Sequence, residues 1–416
     1  MDFNAEELRS RRQRFAAAMN ARCPDWDTAA LTDPVNQYYF TGTIQDGIVL
    51  IRRDAGNPRG SALFYGVRRS FYRAEQESPL FKDPADRAET LAPMRSYRDI
   101  AEKTGADLGK LYLEGDTFPL AALERLGKYF SFSGSGSGPA GFLDPVIQDL
   151  RGVKSQAELS LIRRSGEAHR AVLEEAVPGL LREGMSEAEF MGELAAAMYR
   201  HGYQGLNRFH QSHGGITIGQ IGFGANSLYP SMFDGPGGAK GDSPAAPLSA
   251  DHSRRLSRGD AVFVDIGFGV RGYHSDKTQV YFFGAGPPQI FEKAHRFCLA
   301  VQTRLAERLV PGAVPAKIYQ DITASLSEED LDCFMGVDNR HRVKFLGHGV
   351  GLTIDEAPVI AAGFDKPLEE NMVIALEPKK GVPGIGMAGV EDTYIVTPRG
   401  GVCVTGGGKE IIQVKA

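Results

Sequence analysis

Two strand-turn-strand segments of the 416-residue chain each carry a pair of acidic residues about a glycine-bearing turn. In the first, AVFVDI (261–266) and KTQVYFF (277–283) read as strands from their β-branched and aromatic content, joined through GFGVRGY. The midpoint of Asp265 and Asp276 falls between Val270 and Arg271, so the two carboxylates are expected nearly opposite each other on neighbouring strands. Cross-strand partners hold their Cβ atoms ~4.5–5.5 Å apart, and like charges placed there repel. In the second segment, 372–376 and 392–397 flank the turn GVPGIGMAG, and Gly384 lies midway between Glu377 and Glu391. One such pair is compatible with ordinary surface charge. Two pairs, each set in an apolar strand, are costly unless cations lie between them.

Between the two segments lies GHGVGL, with His348 among glycines that let backbone approach a site closely. Four carboxylates and one imidazole make a mostly oxygen donor set, which suits Mn, Fe, Co or Mg better than a thiolate-rich structural zinc site does. A pair of ions ~3.5–4 Å apart, bridged by carboxylates, activates a water and polarises a carbonyl. The chemistry this implies is hydrolysis.

The length exceeds what one hydrophobic core fills, since cores stop growing near ~250–300 residues, so two domains are expected, 1–150 and 151–416. The glycine-serine stretch 133–141 resembles a linker, but the boundary is placed slightly later, near Asp149 to Arg151. A hydrophobic content of 42% with 24% charged residues is the balance of a globular protein. With a net charge of −5 and no Lys/Arg-rich run, a nucleic-acid partner is not expected. No segment offers the roughly 18 apolar residues of a membrane span, and the charged N-terminal stretch lacks a signal-peptide core, so a cytoplasmic location is expected. Cys23, Cys298, Cys333 and Cys403 are far apart without CxxC spacing, which argues against a disulfide framework and a thiolate site.

The first 150 residues alternate a helix (6–21), strands near 28–31, 48–51, 62–65 and 110–113, and a helix over 120–129. Beyond the boundary, Leu159, Ile162, Gly166, His169 and Leu173 share one helix face, which makes His169 a packed histidine rather than a ligand. Ser186 and Glu189 form a capping box ahead of the stripe Phe190, Leu194 and Met198. Glycine turns and strands follow Gly214, with helices near 290–305 and 316–326, giving helices packed around a sheet in an α+β arrangement.

The segments VDIGFGVRGYHSDKTQ, GHGVGLTIDEAP, ALEP and GVEDTYIVT resemble the motifs of the pita-bread metallopeptidase superfamily, in its Xaa-Pro aminopeptidase, prolidase and creatinase branch. LTDPVNQYYFTG and RGVKSQAELSLIRRSGEAH extend the resemblance over most of the chain. It implies a pita-bread (creatinase/aminopeptidase) catalytic domain preceded by a smaller α/β creatinase-like N-terminal domain. It further implies two divalent ions, Mn first with Co, Fe or Zn as alternatives. Asp265 would bind one ion, Asp276 and Glu391 would bridge, and His348 and Glu377 would bind the other. The implied activity is cleavage of a peptide or small amide bond by a metal-activated water, in a homodimer acting on a small peptide or small molecule.

Three positions depart from the family pattern. The histidine usual after an upstream proline is replaced by Ser231 after Pro230 or, on another alignment, by Leu248 after Pro247; neither transfers a proton near neutral pH as imidazole does. Asp355 stands where a histidine commonly precedes Glu356, and Gly389 where prolidases and Xaa-Pro aminopeptidases commonly carry arginine. Asp355 and His274 are the candidate catalytic residues, the latter because it shares a strand face with Asp276; His210, His213 and His252 lie in loops. The stretch 232–246 reads as an insertion forming a lid or an altered substrate wall or, equally, a solvent-exposed loop. A lyase or creatinase-like C–N hydrolysis on the same fold, or a non-catalytic binding protein, are the rival readings.

Overall fold

The computed structural model describes residues 3–54, 56, 60–82, 88–134, 138–209, 215–216, 218–231 and 233–416. His210 and His213 lie outside the described residues, as does Met232 of the insertion. The chain divides into two compact units, Met1–Arg151 and Gly152–Ala416.

The first unit is an α/β domain. Its strands are β1 (Thr28–Leu31), β2 (Gly47–Arg53), β3 (Ser61–Val67), β4 (Glu89–Pro93), β5 (Asp107–Leu113), β6 (Ser131–Ser133) and β7 (Gly141–Phe142). Among the described residues they form one mixed sheet in the order β4-β3-β2-β1-β5-β6, with β7 also on β5. The expected strands are all present, each three residues longer except for β1. Ile48, Leu50, Phe64, Ile100, Leu111 and Phe130 are buried in one cluster of this unit.

The second unit carries β8 (Asn207–Arg208), β9 (Gly215–Ile216), β10 (Gly219–Phe223), β11 (Ala261–Val270), β12 (Tyr273–Phe283), β13 (Phe345–Gly349) and β14 (Glu356–Ala361). After these come β15 (Val373–Leu376), β16 (Lys379–Val382), β17 (Gly386–Gly389), β18 (Asp392–Thr397), β19 (Gly400–Cys403) and β20 (Ile412–Val414). Two sheets dominate, β10-β11-β12-β20 and β14-β13-β15-β18-β19. The helix Gln156–Arg170 packs on β11 and β12, and Gln289–Ala306 packs on β16 and β17. Capping boxes at Ser155/Glu158 and Ser186/Glu189 satisfy the first backbone N–H groups of their helices. His169 is fully buried, with Nδ1 3.2 Å from the Ser275 hydroxyl, so its place on the helix face is in the core. Among the described residues no helix is long and apolar enough to cross a membrane.

The first acid-bearing hairpin differs from expectation in register. Asp265 pairs with Thr278 and Asp276 with Gly267, so the two acids are diagonal rather than opposite. The reason lies in the turn. Only Arg271 and Gly272 form it, both with positive φ (53° and 93°), the two-residue geometry whose twist matches a hairpin. Gly267 and Gly269, read from sequence as turn residues, are inside β11 instead. They are glycines because the backbone is closely approached: a Cβ on Gly269 would lie 2.2 Å from Gln204 Nε2. A shift of two residues preserves parity, so both acids still project from one face.

The second hairpin keeps its expected centre. Leu376 pairs with Asp392 and Lys379 with Gly389, one continuous register in which Glu377 faces Glu391 about Gly384 (φ 76°). An isolated bridge between Thr278 and Glu391 ties the two hairpins together, reinforced by Thr393 Oγ1, which donates to the Asp276 carbonyl at 2.9 Å.

Candidate metal centre

The two hairpins and β13 bring Asp265, Asp276, His348, Glu377 and Glu391 into one buried cluster. Asp276, His348 and Glu391 offer ligand atoms that all lie within 4.8 Å of one another. His348 Nε2 is 3.9 Å from Asp276 Oδ2, 3.4 Å from Glu377 Oε1 and 3.6 Å from Glu391 Oε1. Its Nδ1 is 3.1 Å from the Gly349 carbonyl. A carbonyl only accepts, so Nδ1 carries a proton, and Nε2 is the ring atom turned to the carboxylates. Glu391 Oε1 is buried without a hydrogen-bond partner. An orphaned carboxylate oxygen beside an imidazole nitrogen, with a second carboxylate in reach, is a donor set that fits a divalent cation.

A residue that motif reading passed over completes the cluster. Lys379, on β16 two positions after Glu377, has its Nζ 2.6 Å from Glu391 Oε2, 2.9 Å from Glu377 Oε2 and 3.1 Å from Asp265 Oδ2. It is fully buried. Three ammonium protons meet three carboxylates, which leaves the lysine satisfied. Thr278 Oγ1 donates to the other oxygen of Asp265 at 2.8 Å and lies 3.2 Å from Glu391 Oε2. Glu377 and Glu391 thus each turn one oxygen to Lys379 and the other to His348.

The electrostatics follow from burial and from these contacts. Burial opposes the charge on Lys379, but the Asp265, Glu377 and Glu391 carboxylates hold its pKa well above the ordinary lysine value. Burial pushes Asp265 up to about 6 and Glu377 up to about 7, and drives Asp276 well above the carboxylate range, where Glu391 and Asp265 add repulsion. Glu391 goes the other way, down to about 2: burial is outweighed by Lys379 and His348, both of which it touches. His348 is raised to about 10, since burial is outweighed by Glu391, Glu377 and Asp276. The carboxylates draw protons and positive side chains to themselves.

The weaker candidates are placed as follows. His274 is fully buried; Nδ1 donates to the Gly351 carbonyl at 3.1 Å and Nε2 accepts from Gln204 Nε2 at 3.1 Å, so both ring nitrogens are engaged. Asp355 is half-buried in the bend before β14, its own carbonyl accepting from Thr353 Oγ1. His252 is exposed, 4.0 Å from Asp242. Ser231 Oγ accepts from the Phe233 backbone N–H.

The insertion is anchored beside the cluster. Lys240 pairs with the buried Asp251 at 2.8 Å. A Cβ on Gly237 would lie 2.9 Å from Gln220 Oε1 and 2.9 Å from the Phe263 ring. Gln220 is the cross-strand partner of Asp265, and Phe263 lies two residues before Asp265 on the same strand face. Gln220 Oε1 is buried without a partner, a second polar atom next to the cluster that the sequence did not single out.

The sequence profile of metallopeptidase family M24 matches residues 160–398, and that of the creatinase/prolidase N-terminal domain matches residues 11–153. An uncharacterized peptidase of Staphylococcus aureus is 26% identical over 379 residues, covering 90% of this chain and 93% of its own. The Xaa-Pro dipeptidase from Bacillus anthracis has a similar fold, with a TM-score of 0.75 at 22% identity, covering 98% of this chain and 99% of that one. The prolidase from Pyrococcus furiosus matches with a TM-score of 0.71 at 23% identity over 95% and 100% of the two chains.

Proposed function

The chain belongs to metallopeptidase family M24, and from that premise we propose that it is a metal-dependent hydrolase resembling Xaa-Pro aminopeptidases and dipeptidases, cleaving a peptide or small amide bond. The observation that carries this reading is the Nε2 of His348 facing Asp276 and the orphaned Glu391 Oε1. Together with Asp265 and Glu377, these three residues would hold two divalent ions, Mn in first place, with Co, Fe or Zn as alternatives. When bound, such an ion polarises a carbonyl and lowers the pKa of a water. The Gly349 carbonyl fixes the His348 ring, and Thr278 and Lys379 hold Asp265, so the carboxylates are oriented before substrate arrives. Asp355, at the position before Glu356, is the side chain proposed to move a proton; the engaged ring of His274 is assigned a supporting place instead. A homodimer in the cytoplasm, acting on a small peptide or small molecule, completes the reading.

A second reading, a lyase or a creatinase-like C–N hydrolysis on the same fold, is favoured by the replacement of imidazole at Ser231 and Asp355. The insertion packed against Gln220 and Phe263 favours it too. A screen of Xaa-Pro dipeptides, N-terminal Xaa-Pro peptides and small amides, with and without Mn or Co, tests the proposal. Metal-dependent hydrolysis is expected. A metal-loaded protein that hydrolyses none of them contradicts it.

A further inference from the structure

The oxygens of the cluster are divided between two cations. On one side Asp265 Oδ2, Glu377 Oε2 and Glu391 Oε2 converge on the Lys379 ammonium at 2.6–3.1 Å. On the other side Asp276 Oδ2, Glu377 Oε1 and Glu391 Oε1 surround the Nε2 of His348 at 3.4–3.9 Å. Glu377 and Glu391 are shared, one oxygen to each side, as carboxylates are when they bridge two positive centres. From this division we infer that Lys379 is a built-in cation occupying one of two positions, and that the centre takes a single divalent ion, held by Asp276, His348 and Glu391. The inference rests on the reading of this cluster as a metal centre and refines its stoichiometry from two ions to one.

Three observations carry it. First, the Lys379 position is filled. A divalent ion would need to approach the same carboxylate oxygens to ~2.0–2.6 Å, and those oxygens already accept the ammonium protons. The remaining oxygen of Asp265 accepts from Thr278 Oγ1, so this acid has no free side to offer.

Second, the lysine cannot readily leave. Lys379 is in a paired strand, opposite Gly389, and its carbonyl accepts from Met335 N at 2.8 Å. The side chain is buried along its length, and withdrawing the ammonium would strand three buried carboxylates. Third, the unfilled valence lies wholly on the other side. Glu391 Oε2 has Lys379 and Thr278, while Glu391 Oε1 has no hydrogen-bond partner. The orphaned atom therefore points to where the one ion belongs.

The test is metal content of the full chain equilibrated with Mn and freed of excess, measured by elemental analysis, together with the electron paramagnetic resonance spectrum of the bound Mn. One Mn per chain with the six-line signal of isolated ions is expected. Lys379→Ala, checked for folding by circular dichroism, is expected to bind a second Mn and to show an exchange-coupled spectrum. Two ions per wild-type chain, or a coupled wild-type spectrum, overturns the inference while leaving the metal-centre reading intact. No bound ion in the wild type overturns both. A folded Lys379→Ala that still takes only one ion also contradicts the inference, and should that variant not fold, the wild-type stoichiometry and spectrum decide.

Discussion

Gly389 makes room for Lys379. The two are cross-strand partners in the β16–β17 ribbon, and a Cβ on Gly389 would lie 2.6 Å from Lys379 Cα and 2.5 Å from the Pro378 carbonyl. Gly389 also adopts φ 135°, a conformation that side-chain-bearing residues rarely enter. The arginine that the family resemblance leads one to expect at this position is thus excluded here by backbone, and a positive charge enters from the facing strand. Gly389→Arg is expected to destabilise the protein by about 2–5 kcal/mol, combining backbone strain with overpacking. Chemical denaturation of the purified variant checks this; stability within 0.5 kcal/mol of wild type, the roughly neutral range for surface changes, contradicts it.

Removing the lysine charge leaves Asp265, Glu377 and Glu391 without their shared partner. Lys379→Met in chelator is expected to lose about 3–5 kcal/mol of stability, the cost of breaking a buried ion pair from one side. Added Mn is expected to restore much of it by binding the folded state. Thermal melts in EDTA and in Mn give the answer, and equal melting temperatures for variant and wild type in EDTA are the opposing result.

The two aspartates of the first hairpin carry different loads. Asp276 faces His348, whereas Asp265 is held by Lys379 and Thr278. Asp276→Asn is expected to weaken Mn binding more than about a hundredfold, and Asp265→Asn by about 10–100-fold, as for groups that support a ligand without being one. Calorimetric titration of both variants with Mn separates these effects. Equal losses would show that both aspartates are ligands.

Acid lability is built into the second unit through His274. Burial holds it down to about 4, against 6.5 when exposed. The unfolded chain therefore binds a proton near pH 6.5 that the folded chain refuses until about pH 4. Stability contributed by the neutral ring is present above pH 6.5 and lost as pH falls toward 4, a difference of about 3 kcal/mol for a shift of this size. His169, held down to about 3 by burial and then by Lys277, extends the decline further. Comparing denaturation at pH 7 and pH 5 for wild type and His274→Gln tests this: the variant is expected to lose less stability between the two, and an unchanged slope contradicts the assignment.

Much of the site was legible because hairpins translate sequence distance into spatial opposition. Glu377 and Glu391 are equidistant from Gly384, and the structure keeps that centre. Asp265 and Asp276 were placed on the right face but in the wrong register. Arg271-Gly272 is a less explicit turn signal than Asn-Gly, and the glycines at 267 and 269 answer close packing rather than a turn. Lys379 went unread although it sits two residues from Glu377, on the same strand face; a lysine there looks like a solvated charge until the register buries it. The engagement of His274 by Gln204 and Gly351 depends on contacts 70 and 77 residues away, which no local pattern encodes.

The most direct measurement is an anomalous difference map at the Mn absorption edge, from crystals of the full chain grown with Mn. The account predicts a single peak per chain, enclosed by Asp276, His348 and Glu391, with the Lys379 ammonium in density on the far side of Glu391. Two peaks, with Lys379 turned away from Asp265 and Glu377, would contradict it, as would a Mn-containing crystal with no peak in the cluster.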